Sequence, residues 1–335
     1  MNKNRIAVTA SDVARSAQVS RSAVSRAFTP GASISRERRH HILQVANQLG
    51  YRPNALARSL VNSKKGRHSG LVAVVMGEFD NPFQPYFFAQ LTQALQAEGR
   101  VPMLIMPDQN GQLDEALDRL IAYQVDAAVI AAGSLSPEAT EAFLALHIPT
   151  VLLGREARQT PVPAILTDNR AVGRLAADYL IQQGCKAPAY IAGRKDGQAS
   201  QERQQGFLAA LHTAGITPAV VLENTDYSHD AGFASAQTLL QYHPRVGGVF
   251  CACDALAMGA LAAFRLAGIA VPESVRLIGC DNVPQAESAG VQLTTIAQPV
   301  EALVATALQA LNQSIRGEAV AACQRLAPAF VQRDT

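Results

Sequence analysis

Arg21 and Ser22, with Ser25 and Arg26 one helical turn further on, fall on one face of a short segment whose other face is Ala23, Val24, Ala27 and Phe28. A helix carrying them fits the major groove of DNA, where each base pair displays its own pattern of donors and acceptors. Arginine forks onto guanine and serine is a permissive contact, so Arg21 and Ser22 at the helix start are the candidate readers, with Arg26 beyond them. Ser20 can cap that helix and joins the contact set. Ser11, Ser25 and the helix N-termini suit phosphate oxygens, which fix register without reading sequence. The plainer alternative is a solvated helical bundle whose arginines only keep it soluble.

Charge favours the DNA reading. Residues 1–68 hold 13 Lys and Arg against two acids, Asp12 and Glu37, a net +11. The remaining 267 residues hold 16 against 25, a net −9, so the formal total of +2 conceals a basic head on an acidic body. Such polarity suits a polyanion partner.

The elements that must position these residues can be placed by caps and spacing. Thr9 and Asp12 form a capping-box variant that starts a helix at Ala10, with Ala10, Val13, Ala14 and Ala17 on one face. Only Gln18 and Val19 separate it from the second helix, which begins at Ser20. A third helix has Ser35 as N-cap, Ile42, Val45, Ala46 and Leu49 as its apolar face and Gly50 as its stop. The spacing predicts a helix-turn-helix with a supporting helix.

After a polar linker, composition changes to alternating apolar runs and amphipathic segments, the pattern of strands and helices around parallel sheets. Strands are expected at 71–75, 102–106, 127–131 and 150–153, with helices such as 85–98 and 113–123. A second set is expected at 189–192, 220–222, 249–251 and 277–280, with helices near 171–183, 201–214, 231–242 and 255–267. Two similar halves suggest two lobes around a cleft, and ligands of such sheets sit beyond the carboxyl ends of the strands. The expected division is residues 1–53 for the head, 54–69 for a hinge helix and linker, and 70–335 for the core.

The run TASDVARSAQVSRSAVSRAF (Thr9 to Phe28), followed by GYRPNALARSL (Gly50 to Leu60), resembles the lactose/galactose repressor (LacI/GalR) family. The resemblance implies that the segment holding Asn54, Ala57 and Leu60 is a hinge that becomes helical on operator DNA. Leu60 would wedge into the minor groove with Ala57 packed beside it. Gln18 departs from the Gly often found in the family's turn. For the body the resemblance implies a core like that of periplasmic sugar-binding proteins, crossed three times by the chain near Ala164, Leu293 and Ala327. One lobe would then be about 70–163 and 294–326, the other about 164–293 and 327–335.

It also implies effector contacts. Asn81 and Phe83 match the family's N-P-F loop, although Pro82 and Phe83 can equally shape a helix start. Asp168 matches the family's D-N and can equally be an N-cap. Arg203 matches an Arg before a Gly-aromatic pair, here Gly206-Phe207, and its fork of donors suits vicinal hydroxyls or a carboxylate. Asp281, in Gly279-Cys280-Asp281, matches a carboxylate at a strand end, and Tyr227 lies where relatives often place a ring over the ligand. Asp254 completes the set, with Cys253 replacing the usual Asn before it. Gly197 stands where purine-binding relatives use an arginine, which argues against a purine. Arg155, Arg170 and Arg194 can add charge near the cleft or face solvent.

Five cysteines without C-x-x-C or Cys/His ligand spacing indicate neither a disulfide framework nor a zinc site, and no cofactor is expected. No apolar leader follows the basic N-terminus, and no run reaches the roughly 18 residues of a membrane span, so a cytoplasmic location is expected. Walker, G-x-G-x-x-G and G-x-S-x-G loops are missing where an enzyme would need them. A solute receptor or enzyme on the same core is the alternative, but neither explains the head. The sequence therefore points to a transcriptional regulator whose partners are double-stranded operator DNA, a small polar effector and a second copy of itself, as a dimer with a tetramer left open.

Overall fold

Three side-chain caps start the three N-terminal helices. The structure, a computed structural model, describes residues 8–29, 31–52, 69–77, 79–106, 122–131, 144–156, 162–195 and 197–335. Helices α1 (Ala10–Ser16), α2 (Arg21–Ala27) and α3 (Arg36–Leu49) begin where Thr9, Ser20 and Ser35 each accept a backbone N–H with the side-chain oxygen. At Thr9 the box is reciprocal, Asp12 Oδ2 accepting the Thr9 N–H at 3.0 Å. Each such cap stabilises its helix by about 1 kcal/mol, which matters for helices of seven residues that cannot stand alone. Their inner faces, Val13, Ala14, Ala17, Ala23, Val24, Ala27, Ile42 and Ala46, form one buried cluster. Arg39 donates to the carbonyls of Thr29 and Ala32 and so pins the loop before α3.

The turn between α1 and α2 keeps a left-handed residue without glycine. Gln18 has φ 54°, and its side chain is exposed. A left-handed residue with a Cβ carries some strain there, at the position where the family often has Gly.

The chain divides into two compact units, Met1–Ser69 and Gly70–Thr335. The second holds two six-stranded sheets. The first sheet comprises β1 (Leu71–Val75), β2 (Val101–Ile105), β3 (Ala127–Ala131), β4 (Thr150–Leu153) and β5 (Ala164–Thr167), with β11 (Cys323–Leu326) at its far edge; its order is β11-β5-β4-β3-β1-β2, all parallel. The second comprises β6 (Ala189–Arg194), β7 (Val220–Asn224), β8 (Gly248–Cys251), β9 (Arg276–Asp281), β10 (Thr294–Ala297) and β12 (Ala329–Val331), in the order β12-β10-β9-β8-β6-β7, with only β12 antiparallel. Strands such as Leu71–Val75 are buried throughout, as is usual for the interior strands of a parallel sheet. In the first lobe Val72, Val74 and Val129 face one apolar cluster and Ala73, Val75 and Ala128 the opposite one, the two-residue alternation of a strand.

Helices α4 (Phe83–Ala97) and α9 (Val300–Ile315) pack on the first sheet. Around the second lie α5 (Asn169–Gln182), α6 (Gln198–Thr213), α7 (His229–Tyr242) and α8 (Asp254–Leu266). Helix α4 starts at Phe83 rather than 85 because the Phe83 N–H bonds to Asn81 Oδ1 and closes the turn early. The helix expected at 113–123 and the hinge with Asn54, Ala57 and Leu60 lie outside the described residues, apart from the last two positions of the former.

The three crossings between lobes fall at Asp168, at Gln298-Pro299 and at Ala327-Pro328. The first two correct the expected positions by about four residues. Ala164–Thr167 still pairs with β4 in the first sheet, and Thr294–Ala297 still pairs with β9 in the second. Each lobe boundary therefore shifts past its last bonded strand.

Replacing Gln18 with glycine removes the left-handed penalty, which is about 1–2 kcal/mol for an L-residue, and loses part of that gain to the more flexible unfolded chain. Gln18→Gly should stabilise the head by about 0.5–1 kcal/mol, seen as a higher urea midpoint for its helical signal; a lower midpoint would show that the glutamine carries an interaction worth more than the strain.

Candidate functional site

Two glycines let α5 and α6 touch backbone to backbone. A Cβ on Gly173 would lie 2.0 Å from the Arg203 carbonyl oxygen, and one on Gly206 would lie 2.1 Å from that of Arg170. That approach lets Arg203, on α6, reach Asn169 at the start of α5, Nε donating to Asn169 Oδ1 at 2.9 Å. Phe207, one position past Gly206, is buried against Tyr190 and Phe250 and anchors the helix to the sheet. The Arg-x-x-Gly-Phe pattern thus has one residue for the site, one for helix contact and one for the core.

Arg203 is 5% exposed, so its charge needs partners. Nη1 donates to the Ala252 carbonyl and lies 3.8 Å from Asp281 Oδ1, close enough for ionic attraction but too far for a hydrogen bond. Asp281 ends β9 with φ 132°, and Asn282 follows at φ 57°, two consecutive strained positions at a strand end. Asp281 Oδ1 accepts from Gln298 Nε2 at 2.7 Å, and Gln298 Oε1 accepts from the Thr167 hydroxyl at 2.7 Å. Asp281 Oδ2 is buried and, among the described residues, has no hydrogen-bond partner. Burial pushes the carboxyl above its ordinary range, with Arg203 pulling the other way. Thr167 ends a strand of the first lobe, Asp281 ends one of the second, and Gln298 lies in the second crossing, so this polar cluster occupies the junction between lobes.

Asp254 has a different use from the one expected. Its Oδ2 accepts the Val283 N–H at 2.9 Å, its Oδ1 accepts the Thr295 hydroxyl at 2.5 Å, and it is fully buried. Both oxygens are engaged in holding the loop after β9 against β10, a structural use of the residue expected as an effector contact. Burial pushes this carboxyl up as well, against those two bonds.

Tyr227 lies against the end of β6 and the start of α6. A Cβ on Gly193 would meet its ring at 1.9 Å and one on Gly197 its hydroxyl at 2.3 Å, so the ring fills the space an arginine at 197 would need. Asn81 is spent on the turn before α4, while Phe83 packs against the apolar clusters of both lobes and stacks at 5.8 Å on Phe87. Asp168 caps α5, accepting the Ala171 N–H at 3.0 Å, and its own N–H bonds to Leu326 at the third crossing. Sequence reasoning missed Thr167 and Gln298, and it took Asn169 only as part of the D-N pair without giving it a contact of its own. The signal for each was positional, since Thr167 and Asn169 flank the singled-out Asp168 and Gln298 is the lone polar side chain between a strand and a Pro-led helix.

In the head, Arg21, Ser22, Ser25 and Arg26 are all exposed on α2, while Ser11 is half-buried. Ser20 Oγ accepts the Ala23 N–H at 3.2 Å and lies 2.8 Å from Ser22 Oγ, so its hydroxyl is occupied by the cap and by Ser22. Among the described residues no helix is long and apolar enough to cross a membrane.

A basic helix-turn-helix head in one chain with a two-lobed α/β core and a buried polar site at the lobe junction defines a ligand-responsive, DNA-binding regulator. The model of bacterial regulatory proteins of the lacI family matches residues 9–54, and that of the periplasmic binding protein-like domain matches residues 177–335. The ribose operon repressor of Haemophilus influenzae is 30% identical over 313 residues, covering 92% of each chain. That of Halalkalibacterium halodurans is 29% identical over 305 residues, covering 91% of this chain and 89% of its own. Among solved structures, the Lac repressor dimer bound to operator and the anti-inducer ONPF matches with a TM-score of 0.86 at 26% identity, over 98% of this chain and 99% of that one. The chain belongs to the lacI family of bacterial regulatory proteins.

The raised Asp281 carboxyl has a definite sign. Its folded value lies above its unfolded one, so its contribution to stability is full at acid pH and is lost as pH rises from the ordinary carboxylate range toward neutrality. Asp281→Asn cannot ionise, and its melting temperature relative to the parent should climb across that window and level off above it. A gap that narrows instead would mean that Arg203 outweighs burial.

Proposed function

We propose that this regulator senses a small polyhydroxylated effector, a sugar or a sugar acid, held between the lobes by Arg203 and Asp281. The observation that carries this reading is the pairing of a buried guanidinium with a carboxylate one of whose oxygens has no donor. A hydroxyl placed there would donate to Asp281 Oδ2 and accept from Arg203, meeting both needs at once. Asn169 and Gln298 act as positioning residues, Tyr227 supplies the apolar face, and Phe83 closes the first-lobe side. Asn81 and Asp168 serve this pocket through the turn and the cap they make. The sugar-related names of the ribose operon repressors agree with this class of ligand, and the filled space at Gly197 speaks against a purine.

On the DNA side, Arg21 and Ser22 read bases, Arg26 extends the contact, and Ser11, Ser20 and Ser25 meet the phosphate backbone or support those that do. Asn54, Ala57 and Leu60 form the minor-groove hinge of a homodimer whose two heads occupy half-sites of a near-palindromic operator. The core dimerises in part through the open edge of β2, where Val101, Leu104 and Met106 are exposed; a dimer is favoured over a tetramer. Effector binding changes the lobe arrangement and with it the spacing of the hinges, and it lowers operator affinity, as an inducer does to a repressor. The division into head, hinge and two-lobed core, a cytoplasmic site of action on the nucleoid, and the lack of a catalytic role belong to the same reading.

Thermal-shift measurement against sugars, sugar acids, polyols and their phosphates tests the pocket, because a ligand of the folded state raises the melting point. A hit should vanish in Arg203→Ala while operator binding without ligand persists; a shift that survives the substitution would remove Arg203 from the pocket. For the reader, Arg21→Ala should cost about 1–3 kcal/mol on an operator selected from random duplexes and relax one base position. Equal losses on operator and random DNA would make Arg21 a phosphate contact.

A further inference from the structure

A second polar cluster joins the lobes without using any residue of the pocket. Arg325, on β11 of the first lobe, donates from Nη1 to Glu202 Oε2 at 2.7 Å and from Nη2 to Glu202 Oε1 at 3.1 Å. Nη2 also donates to Glu156 Oε1 at 2.6 Å. Glu202 belongs to α6 of the second lobe, whereas Glu156 follows β4 of the first. Gln198, on α6, completes the bridge: its Nε2 donates to Glu202 Oε1 at 3.0 Å and its Oε1 accepts the Glu156 N–H at 3.2 Å. Burial works against the Glu202 charge, but the bonds from Arg325 and Gln198 prevail and hold its carboxyl below the usual range.

The arrangement is asymmetric in a way that suits a switch. Arg325 and Glu156 share a lobe and stay together if the lobes part; Glu202 and Gln198 leave together on the other. Opening therefore never strands the arginine, which keeps one carboxylate, and the separated Glu202 passes into water. Two discrete states with satisfied charges result. Arg325 also lies two residues before the crossing at Ala327-Pro328, so its grip acts beside a hinge.

We propose that Arg325, forked onto Glu202 across the lobes, is an ion-pair latch that holds the two lobes in the arrangement described above and sets the balance against which the effector works. The latch builds on the reading of a core whose lobes move but is independent of which effector binds. Its strength should fall with salt, since the arginine end reaches solvent: the Arg325 side chain is 33% exposed, against 12% for Glu202.

The Glu156 amide reports the state directly, because the group that holds it comes from the other lobe. Hydrogen–deuterium exchange on the full-length protein, read by mass spectrometry, should show that amide exchanging about fivefold faster in Arg325→Met and in Glu202→Gln, the scale of one partly exposed ion pair. NaCl at about 0.5 M should speed the parent similarly. The amides of Ala164 and Asp168, bonded to Ala322 and Leu326 within the first lobe and at its edge, should keep their rates. Unchanged Glu156 exchange in both single variants would overturn the latch, as would equal acceleration at Ala164 and Asp168, which would mean that β11 had merely loosened. Either result leaves the pocket standing, because that is tested separately by the ligand-induced melting shift and its loss in Arg203→Ala.

Discussion

A buried guanidinium is the constraint on which the core turns. Removing an arginine from water costs several kcal/mol even after the protein relaxes, so the fold must bring acceptors to Arg203 from several directions. They come from Asn169 on α5, from the carbonyl of Ala252 after β8 and from Asp281 after β9. All three lie beyond the carboxyl ends of strands or at helix starts, where a parallel sheet leaves polar backbone and side chains unpaired. The charge thus holds together the loops at these strand ends, and the 3.8 Å between Arg203 and Asp281 leaves the pair short of a hydrogen bond.

That cluster is made possible by very small residues elsewhere. Gly173 and Gly206 allow α5 and α6 to approach at distances no Cβ would tolerate, and Gly232 and Gly259 do the same for α7 and α8. The second lobe is consequently dense and locked by backbone contact, a poor candidate for internal deformation. The first lobe is tied to it by the crossings and by side chains such as Gln298 and Arg325. Movement between lobes concentrates at those connections, since the packed layers resist it.

Much of this was legible in the sequence, for physical reasons that can be named. Caps at Thr9, Ser20 and Ser35 and the apolar spacing behind them placed the three helices of the head. Continuous runs such as Leu71–Val75 marked buried strands. By contrast Cys323–Leu326 and Ala329–Val331 are edge strands of four and three residues, exposed or half-exposed throughout, and runs so short show no periodicity that distinguishes them from a loop. The lobe boundaries slipped by about four residues because pairing with a distant strand, invisible locally, decides which sheet holds Ala164–Thr167. Within the site, resemblance singled out Arg203 and Asp281, but the partners that orient them, Asn169, Thr167 and Gln298, are neutral side chains with no charge to draw attention. Asp254 shows how much a single carboxylate leaves open: at a strand-to-helix junction it reads as a ligand group, and here it satisfies the Val283 amide and the Thr295 hydroxyl.

Where the lobes meet, the distribution of polar contacts has a consequence for coupling. Thr167, Gln298 and Asp281 form one chain of hydrogen bonds across the junction, and Glu156, Arg325, Glu202 and Gln198 form another. Arg203 and Glu202 are neighbours on α6, so a small rotation of that helix changes both sets together. A ligand that completes the valence of Asp281 therefore also acts on the geometry of Glu202 and its arginine. Coupling of this kind needs no long pathway; it needs only that adjacent residues on one rigid helix face two different interactions.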